Sequence, residues 1–523
     1  MRAATGPRDL LDRQLGRVTM YRLVTVVLAA LVVVTLGFTI GGTFNEPYSV
    51  TSELATLTVL LVVTYVSSRG FGLLWSVTAH GESAIITALL LWFLFTPSTD
   101  PIDLAWIAAA GVLAGLSKYV LAWHGRHVFN PAAAGAFGSY AVQYAIGRDA
   151  AVSASWWVGN QTLLPFVATG AFLVLWRTRR LDVGLVFIAT AAVLIVLGLD
   201  HLAPPEAPLI DPIRTMAYSF PIVFLGGFML SEPLTLPPRR LQQLVVAAVT
   251  GAVFSYPIWV FMLTTSPPDL RVLAITPGVA LLIGNVVAFG FSRRRGVALV
   301  LDSSRTLTSE INELTFRAKR PLRFLPGQYM ELTVPHSGAD GRGTRRSFSI
   351  SSPPSSDGLL SFALRVPDPS SSFKRALRTL QPGATVHATG VGGDFLLPSD
   401  PEVPVLLVAG GIGITPFLSQ LRHQPARDAV LVYGVSSPDE VAFIDELTGF
   451  RVVLVAAAQP VVLPEGWAYV EAPSLSADLI AAAVPDLAGR RAYVSGPPAM
   501  VNALRPGLAK HCGSVRTDYF TGY

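Results

Sequence analysis

A single cysteine, Cys512, stands in a chain of 523 residues. One thiol forms no internal disulfide. It cannot supply the four thiolates of an all-cysteine iron–sulfur cluster, or a cysteine-rich zinc site. No metal site is expected, and redox chemistry here falls to flavin, nicotinamide, haem or quinone. Charge is scarce as well: 14% of residues are charged against 51% hydrophobic. The scarcity is uneven. Residues 1–297 hold 19 Lys and Arg with 14 Asp and Glu, whereas residues 298–523 hold 20 and 20. The net charge of +5 therefore belongs to the first part. There it reads as membrane topology, and no nucleic-acid partner is expected.

What the first part has in plenty is apolar runs. A span needs roughly 20 residues to cross about 30 Å of hydrocarbon. Ten candidates lie near 20–42, 51–67, 81–97, 102–118, 131–147, 162–176, 182–199, 217–231, 241–263 and 272–291. With the N-terminus inside, sixteen Lys and Arg fall on inner segments, and only Arg148, Arg214 and Arg271 fall on outer ones. That bias predicts ten spans in the cell (inner) membrane, embedded in lipid, with both termini cytoplasmic. The basic start is long and no small-residue cleavage site follows the first run, so no cleaved signal peptide is expected.

The segment 118–135 at the inner face is unusual. Asn130 suits a helix cap and Pro131 its first turn. Residues Ala132 to Gly135 would let that helix approach another closely. Arg126 and His127 read either as anchoring cations or as holders of an anionic group.

The second part is built differently. Strand patterns at 297–301, 313–317, 329–334, 347–351, 359–366 and 385–389, with Pro-Gly turns at 326–327 and 382–383, predict a small antiparallel barrel. Buried-type strands at 405–409, 429–435, 451–457 and 492–495, separated by helical patterns, predict a doubly wound α/β domain with a parallel sheet. The fold class expected is thus a polytopic helical membrane bundle, then an antiparallel β-barrel, then an α/β nucleotide-binding domain. The boundaries are 1–19 for an N-terminal segment, 20–295, 296–400 and 401–523.

Within the barrel, Arg346-Ser347-Phe348-Ser349 is the informative tetrad. Strand alternation puts Arg346 and Phe348 on one face and Ser347 and Ser349 on the other. Phe348 can lie on a flavin ring, Ser349 can bond near its reactive nitrogen, and Arg346 can take a phosphate with its planar fork. Arg365, Val366, Ser371 and Ser372 add weight as further cofactor contacts. In the α/β domain, Gly410-Gly411-Ile412-Gly413-Ile414-Thr415-Pro416 leads from a strand into a helix. Such glycines let the backbone approach a pyrophosphate, whose charge the helix N-terminus stabilises. Thr415 can add a hydroxyl. A plain strand-to-helix turn is the alternative. A later strand ends in Ser495-Gly496-Pro497-Pro498-Ala499-Met500.

The order of these motifs resembles the ferredoxin–NADP reductase family over 298–523. That resemblance implies an FAD-binding barrel followed by a nicotinamide-binding domain, with hydride passing from NAD(P)H to FAD and single electrons leaving it. Ser495 stands where many members have cysteine, beside the nicotinamide. Tyr523 is a candidate gate over the flavin, or else part of a frayed tail. Residues 434–440 at the second strand's end carry no arginine and two carboxylates, Asp439 and Glu440. NADH is therefore favoured and NADPH is the second choice.

In the first part, the stretch 125–135 resembles a signature of the NqrB/RnfD family. These are membrane flavoproteins of the sodium-translocating NADH:quinone reductase and of the Rnf complex. The stretch 228–240 resembles their second signature, with Ser231-Glu232-Pro233 where Thr-Asp-Pro is usual. The resemblance implies a ten-helix bundle and an FMN carried on a threonine through a phosphoester bond. The nearest match is Thr162, within Gly159-Asn160-Gln161-Thr162 rather than Ser-Gly-Ala-Thr. Capping of a helix by Thr162 and Asn160 is the other reading.

Together these features predict a membrane-bound oxidoreductase passing electrons from NADH through FAD to a flavin or quinone in the helical part, with further electron-transfer subunits as partners. Two alternatives have less support. A transmembrane haem reductase needs paired mid-membrane histidines, and His80, His124, His127 and His201 lie at run ends. An ion transporter coupled to NADH oxidation needs intramembrane acids, and Glu53, Glu82 and Asp103 lie near run ends too.

Overall fold

The computed structural model describes residues 15–519, apart from 16–18, 45–47, 76–80, 124–125, 148–151, 153, 205, 207, 238, 265–269, 292–296, 321, 339, 341–343 and 461. Two compact units divide the chain, one within 15–293 and one within 294–523.

The first unit is helical, and its helices start where the sequence supplies caps. Ser49 and Ser52 form a capping box before the Val50–Leu74 helix. Asp100 caps Pro101–Val120, and Asn130 accepts from the Ala133 N–H at 3.2 Å to cap Pro131–Ala145. Gly135 lets that last helix touch its neighbour, because a Cβ there would overlap Ala110 and Ala114. The cap and the close approach both match the sequence reading.

The spans match it less well. Among the described residues, five helices are long and apolar enough to cross a membrane: Met20–Ile40, Val50–Leu74, Pro101–Val120, Leu181–Leu202 and Arg240–Val260. Gly81–Leu94 and Leu164–Arg177 are apolar but have 14 residues each, which rise only about 21 Å. Gly81–Leu94 also buries an unbroken run from Thr87 to Leu94, so it packs inside the unit on all sides. The run expected at 217–231 is not one helix. Ile210–Ser219 ends before Phe220-Pro221, and a short Ile222–Phe224 turn passes into a π-helix at Leu225–Met229. Pro221 removes a backbone donor there, and Gly226 and Gly227 let the irregular turn pack against Phe187 and Ala171. A two-residue hairpin, β1 (Ala122–Trp123) with β2 (Arg126–His127), precedes Asn130.

The second unit opens with six antiparallel strands: β3 (Val297–Thr306), β4 (Ile311–Ala318), β5 (Tyr329–Thr333), β6 (Arg345–Ser349), β7 (Leu359–Arg365) and β8 (Thr385–Ala388). Their order is β6-β5-β8-β3-β4-β7. A bridge between Ile350 and Phe362 joins the two outer strands. Leu299, Phe316, Met330, Leu332 and Phe362 fill the interior. A parallel sheet follows, with β9 (Val405–Gly410), β10 (Ala429–Gly434), β11 (Arg451–Ala456), β12 (Trp467–Glu471), β13 (Arg491–Gly496) and β14 (Val515–Tyr519). Its order is β12-β11-β10-β9-β13-β14, and separate apolar clusters cover its two faces. The two edge strands, β12 and β14, are additions to the sequence reading. An edge strand has only one neighbour to bury it, and Glu471, Arg516 and Asp518 break the apolar pattern by which the inner strands are read.

Candidate functional site

In the barrel, β6 pairs with β5 so that Arg346 faces Leu332 and Phe348 faces Met330. Arg346 and Phe348 share one neighbour, Phe373. The Arg346 guanidinium lies 5.2 Å from the Phe373 ring centroid, and Phe348 stacks on the same ring at 6.0 Å. Ser347 points to solvent and Ser349 is buried. Ser371 caps the Ser372–Arg378 helix, its hydroxyl accepting from the Lys374 N–H at 3.3 Å.

An anion already sits against this surface. Asp340 places one carboxylate oxygen 3.7 Å from Arg346 Nη2, and the other accepts from the Ser372 N–H at 3.0 Å. A buried arginine with an acidic stand-in beside it, next to a partly open aromatic ring, fits the phosphate and ring of a flavin nucleotide. When bound, FAD would accept the two electrons of a hydride and return them singly. Arg346 would hold its phosphate and Phe348 its ring.

Two expected contacts are corrected. Arg365 donates to Glu310 at 2.7 Å and to Glu440 at 2.8 Å, so its fork is taken up by carboxylates. Val366 is buried in the barrel core. β-strand spacing alone does not tell an inward apolar residue from a ligand contact.

In the α/β lobe, β9 runs into a 3-10 turn, Gly411–Ile414, and then the Thr415–His423 helix with Pro416 in its first turn. Gly411 has φ +52° and open space where a Cβ would point. Gly413 abuts the Ser495 carbonyl, and Gly410 and Gly496 close on Met500. The two glycine motifs therefore meet at one point, with Pro497 capping the Pro498–His511 helix beside them. A glycine turn leading into a helix N-terminus is the backbone arrangement that receives a pyrophosphate. Thr415 differs from expectation: its hydroxyl donates to the Ile412 carbonyl at 3.1 Å and so braces the turn.

Ser495 is fully buried, and its hydroxyl has no hydrogen-bond partner among the described residues. Such a group fits a site completed by a polar ligand. Asp518 lies opposite Ser495 in the β13/β14 register. Burial, and then the nearby Asp394 carboxylate, push its pKa up to about 6. Motif reading does not reach Asp518; its one signal in the sequence is an acid beside Tyr519 on an otherwise polar edge. Tyr523 lies outside the described residues.

In the helical unit the two signature stretches meet. His127 Nε2 lies 2.8 Å from Glu232 Oε1, and Asn130 Nδ2 donates to Glu232 Oε2 at 3.0 Å. The Asn130 N–H donates to Asn285 at 2.8 Å. His127 is thus held by the chain's own carboxylate, a partner that no local pattern names. The side chain of Arg126 lies outside the described residues. A cleft of about 50 Å³ runs from Asn130, Ser231 and Glu232 past Phe228 to Leu90 and Val174.

Thr162 is exposed. Its hydroxyl and its N–H both donate to Asn160 Oδ1 at 2.8 Å. The following helix, Leu164–Arg177, begins after Leu163 without a side-chain cap. Thr162 therefore closes a turn and does not cap a helix. Beside it lies a small pocket of about 10 Å³, lined by Trp156, Asn160, Leu163, Tyr218 and Phe224. The accessible hydroxyl fits a phosphate ester in kind, while the pocket has room for about one water molecule, so a flavin ring would lie outside it against the exposed turn. Phe224 touches Trp156 at 4.9 Å and Phe228 at 5.3 Å, so two rings separate the pocket from the cleft.

Residues 407–505 match the family described as the oxidoreductase NAD-binding domain. The chain is 29% identical over 211 residues to the reductase component of propane 2-monooxygenase from Rhodococcus jostii, which covers 38% of this chain and 55% of that protein. It is 32% identical over 198 residues to the reductase subunit of an aromatic O-demethylase from an Amycolatopsis species, covering 35% and 56%. It is 31% identical over 175 residues to the NADH oxidoreductase HCR of Escherichia coli, covering 33% and 51%. The chain thus spans about half the length of these relatives.

Proposed function

We propose that the chain is a membrane-bound flavin oxidoreductase that takes hydride from NADH onto FAD and passes electrons to a carrier in its helical unit. The observation that carries this reading is the meeting of the two glycine motifs at Gly410, Gly413 and Gly496, in the same unit as the Arg346–Phe348 strand. The glycine turn binds the dinucleotide through backbone N–H groups. The buried Ser495 hydroxyl, without a partner among the described residues, would complete its hydrogen bonding on the nicotinamide. Asp518, opposite Ser495, can hold a proton near neutral pH.

The helical unit is read as a ten-span bundle in the cell membrane with both ends cytoplasmic. Large apolar side chains on its outer surface support this, Val33 being 67% exposed. So does the bias of sixteen inner cations against three. In this reading the Glu232 cleft takes a quinone or second flavin, and Thr162 carries FMN. Trp156, Phe224 and Phe228 form the packed route between them.

A second reading follows from the relatives named as reductase components of a monooxygenase and an O-demethylase. Electrons would then leave for an oxygenase or ferredoxin partner. One experiment separates the readings: the absorption spectrum of detergent-purified protein before and after anaerobic NADH, with flavin counted per chain. Two or more flavins bleached by NADH are expected. A single flavin, with electrons passing readily to an added ferredoxin and not to quinone, would favour the second reading. No bleaching by NADH would overturn both.

A further inference from the structure

Arg365 ends β7 in the barrel, yet its side chain reaches the nucleotide lobe. Its Nε donates to Glu310 Oε2 at 2.7 Å within the barrel, and its Nη2 donates to Glu440 Oε1 at 2.8 Å. Glu440 closes the short turn Pro438–Glu440 just beyond β10. Its second oxygen accepts from the Ser436 N–H at 3.4 Å. β10 lies beside β9, the strand that feeds the glycine turn. In nucleotide-binding sheets, an acid beyond the second strand takes the adenine ribose hydroxyls, and an arginine in that place takes a 2′-phosphate. Here both groups are present, and they are bonded to each other.

We infer that Arg365 is a masked 2′-phosphate site and that Glu440 keeps it masked. The inference rests on the NADH reading above. The planar fork of an arginine suits a phosphate, and a lysine ammonium is a poorer substitute. Glu310 would still hold Arg365 in place through Nε when Glu440 loses its charge. The freed Nη2 would then be available to a phosphate on the ribose 2′ position. Coenzyme choice is thereby divided between lobes: the nucleotide lobe supplies the acid that prefers a hydroxyl, and the barrel supplies the cation that would prefer a phosphate. The Arg365 side chain is 37% exposed, so its ion pair is cheap to open. The lobes retain a separate tie through Arg305, which pairs with both Glu313 and Glu446.

The test uses the full chain in detergent and calorimetric titration with 5′-AMP and 2′,5′-ADP, which carry only the adenine-ribose end. The wild type is expected to bind 5′-AMP at least tenfold more tightly than 2′,5′-ADP. Glu440→Gln is expected to shift that ratio at least tenfold toward 2′,5′-ADP, and NADPH should begin to bleach the flavin. The double variant Glu440→Gln/Arg365→Met should lose the gain, while Glu440→Gln/Arg365→Lys should keep only part of it. Binding of 5′-AMP by each variant shows that the lobe is folded. A wild type that binds neither probe would overturn the nucleotide reading itself. Normal 5′-AMP binding with an unchanged ratio in Glu440→Gln, or a gain that survives removal of Arg365, would overturn the masked site alone.

Discussion

Glu232 lies 2.8 Å from His127, across a separation of 105 residues in sequence. The same carboxylate receives Asn130 at 3.0 Å, so one side chain fastens the entry of the Pro131–Ala145 helix to the turn after the π-helix. Removing it leaves a buried imidazole and amide without that acceptor. Glu232→Ala is therefore expected to cost about 1–3 kcal/mol, and Glu232→Gln less. Asp at this position is one methylene shorter and should keep only one of the two contacts. Thermal unfolding in detergent measures all three, and an unchanged midpoint in Glu232→Ala would show that the pair holds nothing.

The glycine turn yields a sharper test. A Cβ on Gly413 would run into the Ser495 backbone, which cannot swing away, whereas at Gly410 it would meet the flexible Met500 side chain. Gly413→Ala should raise the Kd for NADH at least tenfold while FAD content stays near wild type, because Arg346 and Phe348 lie on β6 and not on this turn. Gly410→Ala should be milder. Equal effects from the two substitutions would mean that the turn is not shaped by that contact.

How much of this is legible in the chain depends on what each signal encodes. The β6 tetrad can be read because alternation on a paired strand fixes which side chains share a face. The strand-to-helix turn can be read because glycine at close approaches is a backbone requirement. What cannot be read are the partners. Glu232 for His127, Asp340 for Arg346 and Glu440 for Arg365 are set by tertiary contact, and no local period marks them. The 217–231 run misleads because hydropathy counts apolar residues and is blind to a proline break followed by a π-turn. Thr415 misleads for a similar reason, since a hydroxyl at a helix start bonds its own backbone as readily as a ligand.

Asp518 predicts a pH dependence with a definite sign. Its folded pKa is raised to about 6 by burial and by Asp394, against about 3.9 for an unfolded aspartate. The native state therefore binds the extra proton between those values. The contribution is fully present below about pH 4 and is lost as pH rises through about 6. Unfolding of the full chain should accordingly grow easier over that window at this site. Asp518→Asn stays neutral, so its stability relative to wild type should improve as pH rises from about 4 to about 7. Asp394→Asn removes a repelling charge and should shift the transition to lower pH. A pH-independent difference between wild type and Asp518→Asn would mean that this carboxylate does not titrate there.

Thr162 decides whether the helical unit carries a covalent flavin. A phosphoester survives denaturation, so in the proposed reading the chain should fluoresce as a flavin on a denaturing gel. The exposed hydroxyl and its neighbour Asn160 make the consequences specific. Thr162→Ala should abolish the band while FAD released by denaturation is unchanged. Thr162→Ser keeps the nucleophile and should retain the band. Asn160→Ala removes the acceptor that orients the hydroxyl and should weaken attachment without ending it. Trp156→Leu leaves the hydroxyl in place but strips an aromatic wall from the pocket. It should therefore keep the band while slowing the reduction of that flavin by NADH. A wild-type band that persists in Thr162→Ala would move the attachment elsewhere. No band in wild type expressed with a flavin-attaching enzyme would leave the cleft at Glu232 as the acceptor site in this unit, because the route from Phe228 through Phe224 would then lead to a pocket with nothing to reduce.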